Sequence, residues 1–336
     1  LTPGYRGTLQ MGPGAPVTRV AVNALGMRGA EIAGKTAGER RVLVVGDSLV
    51  FGCGVDDAEA LPARLQEALH GKGANCTVGN AGIPSFGPSH AVARMARLDA
   101  PFGADAFVVC TYLGNDPLDE MMPLRTVYAG QLVQGDIARM LQTSWRARLA
   151  YRSRAALWFE RWILLNHPTW SPRADVPSDP EETVRMQGMP KGPATDAGLY
   201  LAVIDDTTSS SDGGRPAIPR ILKAYRVALQ RAKEIANGRP VWFVILPTSW
   251  HVVESRRLEK LKGIGFDPAK YQRGLGQRRL MQVAKDLGIT PLDATPILAA
   301  EADPLACYLA DGSHLSVRGN ERLARWLADE MEAGLR

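Results

Sequence analysis

The chain has no run of about 18 apolar residues, so it offers no candidate for a membrane-crossing helix. Its longest apolar stretch, Val241 to Leu246, is the length of a buried strand. Cysteine is scarce and dispersed. Cys53, Cys76, Cys110 and Cys307 form no C-x-x-C pair, which removes the usual metal-ligand spacing. Buried free thiols and one or two disulfides both remain open. No internal repeat is visible. A strong charge of one sign is also missing: 40 Lys and Arg face 35 Asp and Glu, giving +5. An excess this small carries no nucleic-acid reading unless it is clustered.

What is present suits a folded α/β protein. The 336 residues are enough for one large domain or two ordinary ones, and 45% hydrophobic residues can fill a core without disulfide or metal staples. Residues 1–40 are glycine-rich and read as an arm, with one short strand at Val17 to Val22. From Arg41 strands and helices alternate. "RVLVVGDS" reads as a buried strand, Asp57 to Leu69 as a helix and "CTVGNAG" as a second strand. Ser89 to Leu98 reads as a helix and "DAFVVCTYLGND" as a third strand. The alternation breaks at about 117–216 and resumes with helix Ile218 to Ile235, strand "PVWFVILP", helix Lys270 to Leu287 and strand "ITPLDA". A last helix runs from Ser316 to Ala333, with Gly334 as its stop signal. Such alternation predicts a parallel sheet with helices on both faces, so the domain spans 41–336 with an insertion at about 117–216.

Ligands of such sheets bind beyond the carboxyl ends of the strands. There the sequence puts Gly46-Asp47-Ser48-Leu49, Asn80 to Gly87, Gly114-Asn115-Asp116 and Pro247-Thr248-Ser249-Trp250-His251, with Asp311-Gly312-Ser313-His314 before the last helix. A hydroxyl, an amide, glycine-rich turns and an Asp-x-x-His pair are the parts for acyl transfer through serine. Trp250 and His251 are candidates to line a substrate pocket. Asp47 is expected to tie down the serine's turn.

Four blocks in this order, "VVGDSLVFGCGV", "NAGIPSFG", "YLGND" and "DGSHLSVRGNERLA", resemble those of the SGNH (GDSL-type) hydrolases over about 41–116 and 218–336. The resemblance implies a flavodoxin-like three-layer α/β/α sandwich and a serine esterase that needs no metal or cofactor. It implies Ser48 as nucleophile, His314 as base, Asp311 as the group holding the imidazole, and Asn115 as a side-chain oxyanion donor. In the second block many members have glycine where this chain has Ser85. The backbone donor there is expected at Ser85, then Gly82, then Gly87, with the Ser48 N–H completing the hole. The implied activity is hydrolysis of short acyl esters, acetyl esters of a glycan or small alcohol, through an acyl-serine. Alternatives are O-acyl transfer to a cell-envelope or exopolysaccharide glycan and non-catalytic binding on the same fold.

The segment "VNALGMRGAEI" resembles the one preceding the first block in exported or membrane-anchored bacterial members. The chain begins at Leu1, and the expectation is a periplasmic or secreted protein with an anchor upstream as one form of it, the cytoplasm remaining open. Gly29 to Thr36 matches G-x-x-x-x-G-K-[ST] but lacks a following helix, so no nucleotide is expected. Basic residues do cluster once: Arg139, Arg146, Arg148, Arg152, Arg154 and Arg161 flank Tyr151, Trp158, Trp162 and Leu165 at helical spacing. A helix docked on the core, a lid over the site and a helix at a membrane surface are the three readings of that segment.

Overall fold

A computed structural model describes residues 1–11, 15–120, 125–128, 131–134, 217–263 and 272–335, together with position 269 and single positions between 145 and 162. The chain divides into two compact units, residues 1–120 with 189–336, and residues 121–188.

The first unit opens with β1 (Arg6–Gln10) and β2 (Val17–Ala21), followed by β3 (Arg40–Val45), α1 (Ser48–Phe51), α2 (Leu61–Gly71) and β4 (Cys76–Asn80). Next come α3 (Pro88–Phe102), β5 (Ala106–Tyr112) and α4 (Asp116–Asp119). In the second unit β6 (Arg125–Tyr128) and β7 (Gln131–Gln134) pair as an antiparallel hairpin. The first unit then resumes with α5 (Ala217–Ala236), β8 (Val241–Leu246), α6 (Ser249–Val252), α7 (Glu254–Gly263), α8 (Leu275–Asp286), β9 (Thr290–Asp293), α9 (Thr295–Ala299) and α10 (Val317–Leu335).

Five strands form one parallel sheet in the order β4-β3-β5-β8-β9. The β-branched runs Val42–Val45, Phe107–Cys110 and Trp242–Leu246 are buried throughout, as a sheet covered on both faces requires. Val42, Val44, Val108, Cys110, Val244 and Leu246 join one core cluster with Leu61, Leu65 and Leu69 of α2 and Leu323, Leu327 and Met331 of α10. The alternating residues face the layer formed by α3, α5 and α8, where the Tyr225 and Phe243 rings meet edge to face at 6.3 Å. The architecture is a three-layer α/β/α sandwich. Among the described residues no helix is long and apolar enough to cross a membrane.

The exposed edge of β4 is closed by α2. The Val78 N–H donates to Gln66 Oε1 at 2.8 Å, and His70 Nε2 bonds the Cys76 carbonyl at 2.6 Å. Such side-chain covers stop an edge strand from recruiting another. All four cysteines are free and buried, so the disulfide alternative is not realised; desolvation pushes the Cys53 thiol up to about 12 and the Cys76 thiol to about 11.

Three expectations change. The arm carries two strands, not one, and lies in the same compact unit as the sheet. The last helix runs through Gly334 to Leu335. Gly334 allows close approach there, since a Cβ would sit 2.7 Å from the Trp242 ring. The helix expected from Lys270 begins at Leu275, behind Gly274 at φ +74°. Gly29 to Thr36 forms no helix, and Lys35 Nζ pairs with Asp105 at 2.6 Å. Tyr151, Trp158 and Leu165, with Arg139, Arg146, Arg152, Arg154 and Arg161 of the basic cluster, lie outside the described residues. Trp162 is exposed and stacks on Phe159 at 5.9 Å.

Arg28 joins the arm to the sheet. Its side chain is buried, and its guanidinium donates to Asp57 Oδ1 (2.6 Å) and to the carbonyls of Phe51 (2.9 Å), Gly52 (2.6 Å), Val55 (2.7 Å) and Arg19 (3.1 Å). Removing it takes a donor from each of four carbonyls, of which Phe51 keeps the Asn80 side chain and Gly52 the Val55 N–H, and leaves Asp57 with the Ala21 N–H. Arg28→Ala is expected to lower unfolding stability by about 1–3 kcal/mol, because buried carbonyls lose a charged donor while Asp57, part-exposed, can turn to water. A urea midpoint equal to wild type would show that Arg28 is not the clamp.

Candidate active site

Ser48 stands at the start of α1, directly beyond the carboxyl end of β3. The turn between them is tight. A Cβ on Gly46 would come within 2.6 Å of Val50 and 3.1 Å of Cys110, so glycine lets the turn lie against β5. Asp47 caps α1 through Oδ1, which accepts the Leu49 N–H at 2.9 Å, and its Oδ2 lies 3.3 Å from Ser48 Oγ. This fulfils the structural part expected of Asp47. Burial pushes its carboxyl up to about 6, against the Leu49 hydrogen bond and the attraction of His314. The folded chain therefore holds that proton more tightly than the unfolded chain. Asp47 becomes a cost to stability as pH rises from the ordinary carboxylate range through about 6.

The last block supplies the partner. Asp311 Oδ1 accepts the backbone N–H groups of Ser313 (2.9 Å) and His314 (3.0 Å), while Oδ2 meets His314 Nδ1 at 2.6 Å. The opposite ring nitrogen, Nε2, lies 3.1 Å from Ser48 Oγ across 266 residues of sequence. Burial alone would raise Asp311, but the side-chain and backbone bonds from His314 and Ser313 outweigh it and hold the carboxyl at about 2. Asp311 is thus a fixed anion at any working pH.

One anchor of this turn was not legible. Ser249 donates both its backbone N–H (3.2 Å) and its hydroxyl (2.7 Å) to the Gly312 carbonyl. In the sequence Ser249 reads only as a residue after the fourth strand. Its partner lies 63 positions away, and no motif joins them.

The second block docks on α1. Ala81 N–H donates to Val44 (2.9 Å) and Ile83 N–H to Gly46 (3.0 Å). A Cβ on Gly82 would collide with the Phe51 backbone nitrogen, so Gly82 is there for close approach. Its N–H is already given to Asn80 Oδ1 at 3.1 Å. The expectation that Gly82 could serve as the second-choice oxyanion donor therefore fails on availability. Gly87 is the N-cap of α3, hemmed in by Glu120 and Asp119. Ser85 differs. No described residue accepts its N–H, and its φ is +64°. Pro84 and Ser85 form the corners of a turn closed by Phe86 N–H on the Ile83 carbonyl at 3.2 Å. Proline followed by positive φ is the type II arrangement, which favours glycine at the second corner.

Asn115 follows β5. Asp116 ties this corner down, accepting the Tyr112 N–H (2.8 Å) and the Thr111 hydroxyl (3.1 Å) through Oδ2. Complete burial raises Asp116 well above the carboxylate range. The Asn115 amide donates to Asp119 Oδ2 at 2.6 Å.

His251 does not line the site. It is 1% exposed, its Nδ1 lies 2.8 Å from the Thr248 hydroxyl in the N-cap of α6, and burial drives it down to about 3. A ring so enclosed cannot touch substrate, which corrects the sequence expectation. Trp250 is half-buried under Lys260, whose Nζ lies 5.0 Å from the ring centroid. Among the described residues no group of three His, Cys, Asp or Glu side chains could hold a metal ion.

In the four sequence blocks the chain resembles the SGNH (GDSL-type) hydrolases. No family model matches the chain and no curated protein matches it. Solved structures similar to it include a lipase/acylhydrolase from Enterococcus faecalis, 11% identical over 88% of this chain and 96% of that one, with a TM-score of 0.44. TesA is 14% identical over 88% and 99%, with a TM-score of 0.42. A catalytic mutant of the acetylxylan esterase Axe2 from Geobacillus stearothermophilus is 12% identical over 87% and 94%, at 0.41. Likeness at this level leaves function to the site's own geometry.

The positive φ at Ser85 gives a test of the turn. Ser85→Gly is expected to stabilise the fold by about 1 kcal/mol, because a left-handed L-residue costs about 1–2 kcal/mol that glycine avoids. A lower urea midpoint for the variant would mean that the Ser85 side chain holds the turn.

Proposed function

We propose that the protein is a serine-dependent ester hydrolase working through an acyl-Ser48 intermediate. The observation that carries this reading is the continuous hydrogen-bonded line from Asp311 through His314 to Ser48 Oγ, drawn from the two ends of the domain. Serine is a weak nucleophile until a base takes its proton. His314 Nε2 accepts that proton as Oγ bonds to the acyl carbon, and Asp311 stabilises the imidazolium that results. The tetrahedral oxyanion would be met by the Ser48 N–H, unpaired within α1 as the first of its helix, by the Ser85 N–H and by the Asn115 amide. Collapse breaks the ester C–O bond, and the departing alkoxide takes the proton from His314. Water, deprotonated by the same imidazole, then attacks the acyl-serine. The acid leaves and Oγ regains its proton.

We assign short acyl esters, acetyl esters of a glycan or small alcohol, as substrates. If a sugar hydroxyl replaces water in the second half-reaction, the same residues transfer the acyl group. Product analysis with an acceptor sugar present separates the two: free acetate alone means hydrolysis, an acetylated sugar means transfer.

Ser48→Ala is expected to abolish hydrolysis of p-nitrophenyl acetate while the fold persists, and a fluorophosphonate should label the wild type once, at Ser48. Residual activity within about tenfold of wild type would end the serine reading. Activity should climb from acid to neutral pH because protonated imidazole cannot accept the Ser48 proton. Asp311, held at about 2, adds no limb to that profile. A rate that is level from about pH 5 to 8 would contradict a histidine base. At the oxyanion site, Asn115→Ala should lose roughly 10²–10³ in kcat, whereas Ser85→Ala keeps kcat within about tenfold because its donor is backbone.

A further inference from the structure

Asn115 differs from the other two proposed oxyanion donors in carrying its N–H on a side chain. A backbone N–H is aimed by the fold. A primary amide is two-ended, and half a turn about its soft terminal torsion replaces the Nδ2 donor with the Oδ1 acceptor. An acceptor facing a developing oxyanion would repel it. Something must decide which end faces the site.

We propose that Asp119 is the positioning residue that sets the Asn115 amide donor-outward, an inference that rests on the reading of Asn115 as an oxyanion donor. Asp119 stands one helical turn beyond Asn115, its N–H donating to the Asn115 carbonyl at 2.9 Å. Its Oδ2 takes the Asn115 Nδ2 at 2.6 Å. An ionised carboxylate only accepts, so this pair exists in one amide orientation and not in the flipped one. One of the two amide hydrogens is committed to Asp119. The other, about 120° away in the amide plane, is left for the site.

The frame around the pair is rigid. Asp116, at the start of α4, is bonded to Tyr112 and Thr111 of β5. Glu120, just past its end, takes the Ser89 N–H at 2.7 Å and the Ser89 hydroxyl at 2.5 Å at the start of α3. The short helix is thus pinned at both ends, and Asp119 can hold the amide against a fixed reference. A carboxylate so near an oxyanion works against catalysis electrostatically. Its value is therefore geometric, and a neutral group that also fixed the amide would serve.

The test is a double-mutant cycle on full-length protein with p-nitrophenyl acetate. Asp119→Ala is expected to lower kcat about tenfold or more, with KM changed less than about threefold, because only a transition-state donor is misaligned. In an Asn115→Ala background the same change should cost nothing further. Asp119→Asn, nearly isosteric and able to accept through its own Oδ1, should lose less than Asp119→Ala, and it carries the same cycle if the alanine variant does not fold. The proposal is overturned if Asn115→Ala is costly but Asp119→Ala stays within about twofold of wild type, or if the two losses simply multiply. If Asn115→Ala is itself harmless, the oxyanion reading of Asn115 falls and this inference with it. If Ser48→Ala stays active, the whole esterase reading falls.

Discussion

A guanidinium that is almost wholly buried can only place its charge on the groups packed around it, and Arg28 gathers them from four parts of the chain. It takes carbonyls from the end of α1, from the loop that follows and from β2, and it takes the Asp57 carboxylate. The Phe51 ring lies against it at 4.7 Å. A cation at the C-terminal end of α1 meets the carbonyls that such a short helix leaves unpaired. The Arg28 N–H continues the pattern by donating to the Asn80 carbonyl at 3.0 Å, and the Asn80 side chain donates to the Phe51 carbonyl at 3.2 Å. The arm, the Ser48 helix and the start of the second block are thereby one unit. The residues before β3 are a structural part of the site.

Three carboxylates around the site show how environment divides one chemistry into several. Asp47 is buried with few donors and is pushed up to about 6. Asp116 is wholly buried and lies well above the ordinary range. Asp311 collects three hydrogen bonds and is held at about 2. Only the last can serve as a constant counter-charge to an imidazolium, and it is the one bonded to His314. The other two hold backbone: Asp47 at the start of α1 and Asp116 at the end of β5. Local patterns place each aspartate after a strand or before a helix, but burial and donor count decide what each can do.

Much of this was legible because it is local. Strands buried on both faces read as unbroken β-branched runs, and Leu61, Leu65 and Leu69 mark the buried stripe of α2. Ser48, Asn115, Asp311 and His314 stand at element ends, where a sheet of this order gathers functional groups. Less was legible where a role depends on a partner far along the chain. Ser249 looks like any residue in a strand-end loop until Gly312 lies against it. His251 reads as a polar residue beyond a strand, yet its ring is enclosed in the cap of α6.

The sequence by itself determined the alternation of the five sheet strands with α2, α3, α5, α8 and α10 and the residue types available at each strand end, because both follow from short-range periodicity and turn chemistry; it did not show β1 or the helices α6, α7 and α9. The tertiary structure decided which backbone N–H groups in the second block are spent and which are left: Gly82 gives its own to Asn80, while the left-handed turn at Ser85 leaves that N–H without an acceptor among the described residues. It also decided that His314 reaches Ser48 and that Asp119 reaches the Asn115 amide. Those are facts of distance and orientation, and a hydrogen bond exists only once folding has brought donor and acceptor to within about 3 Å at a workable angle.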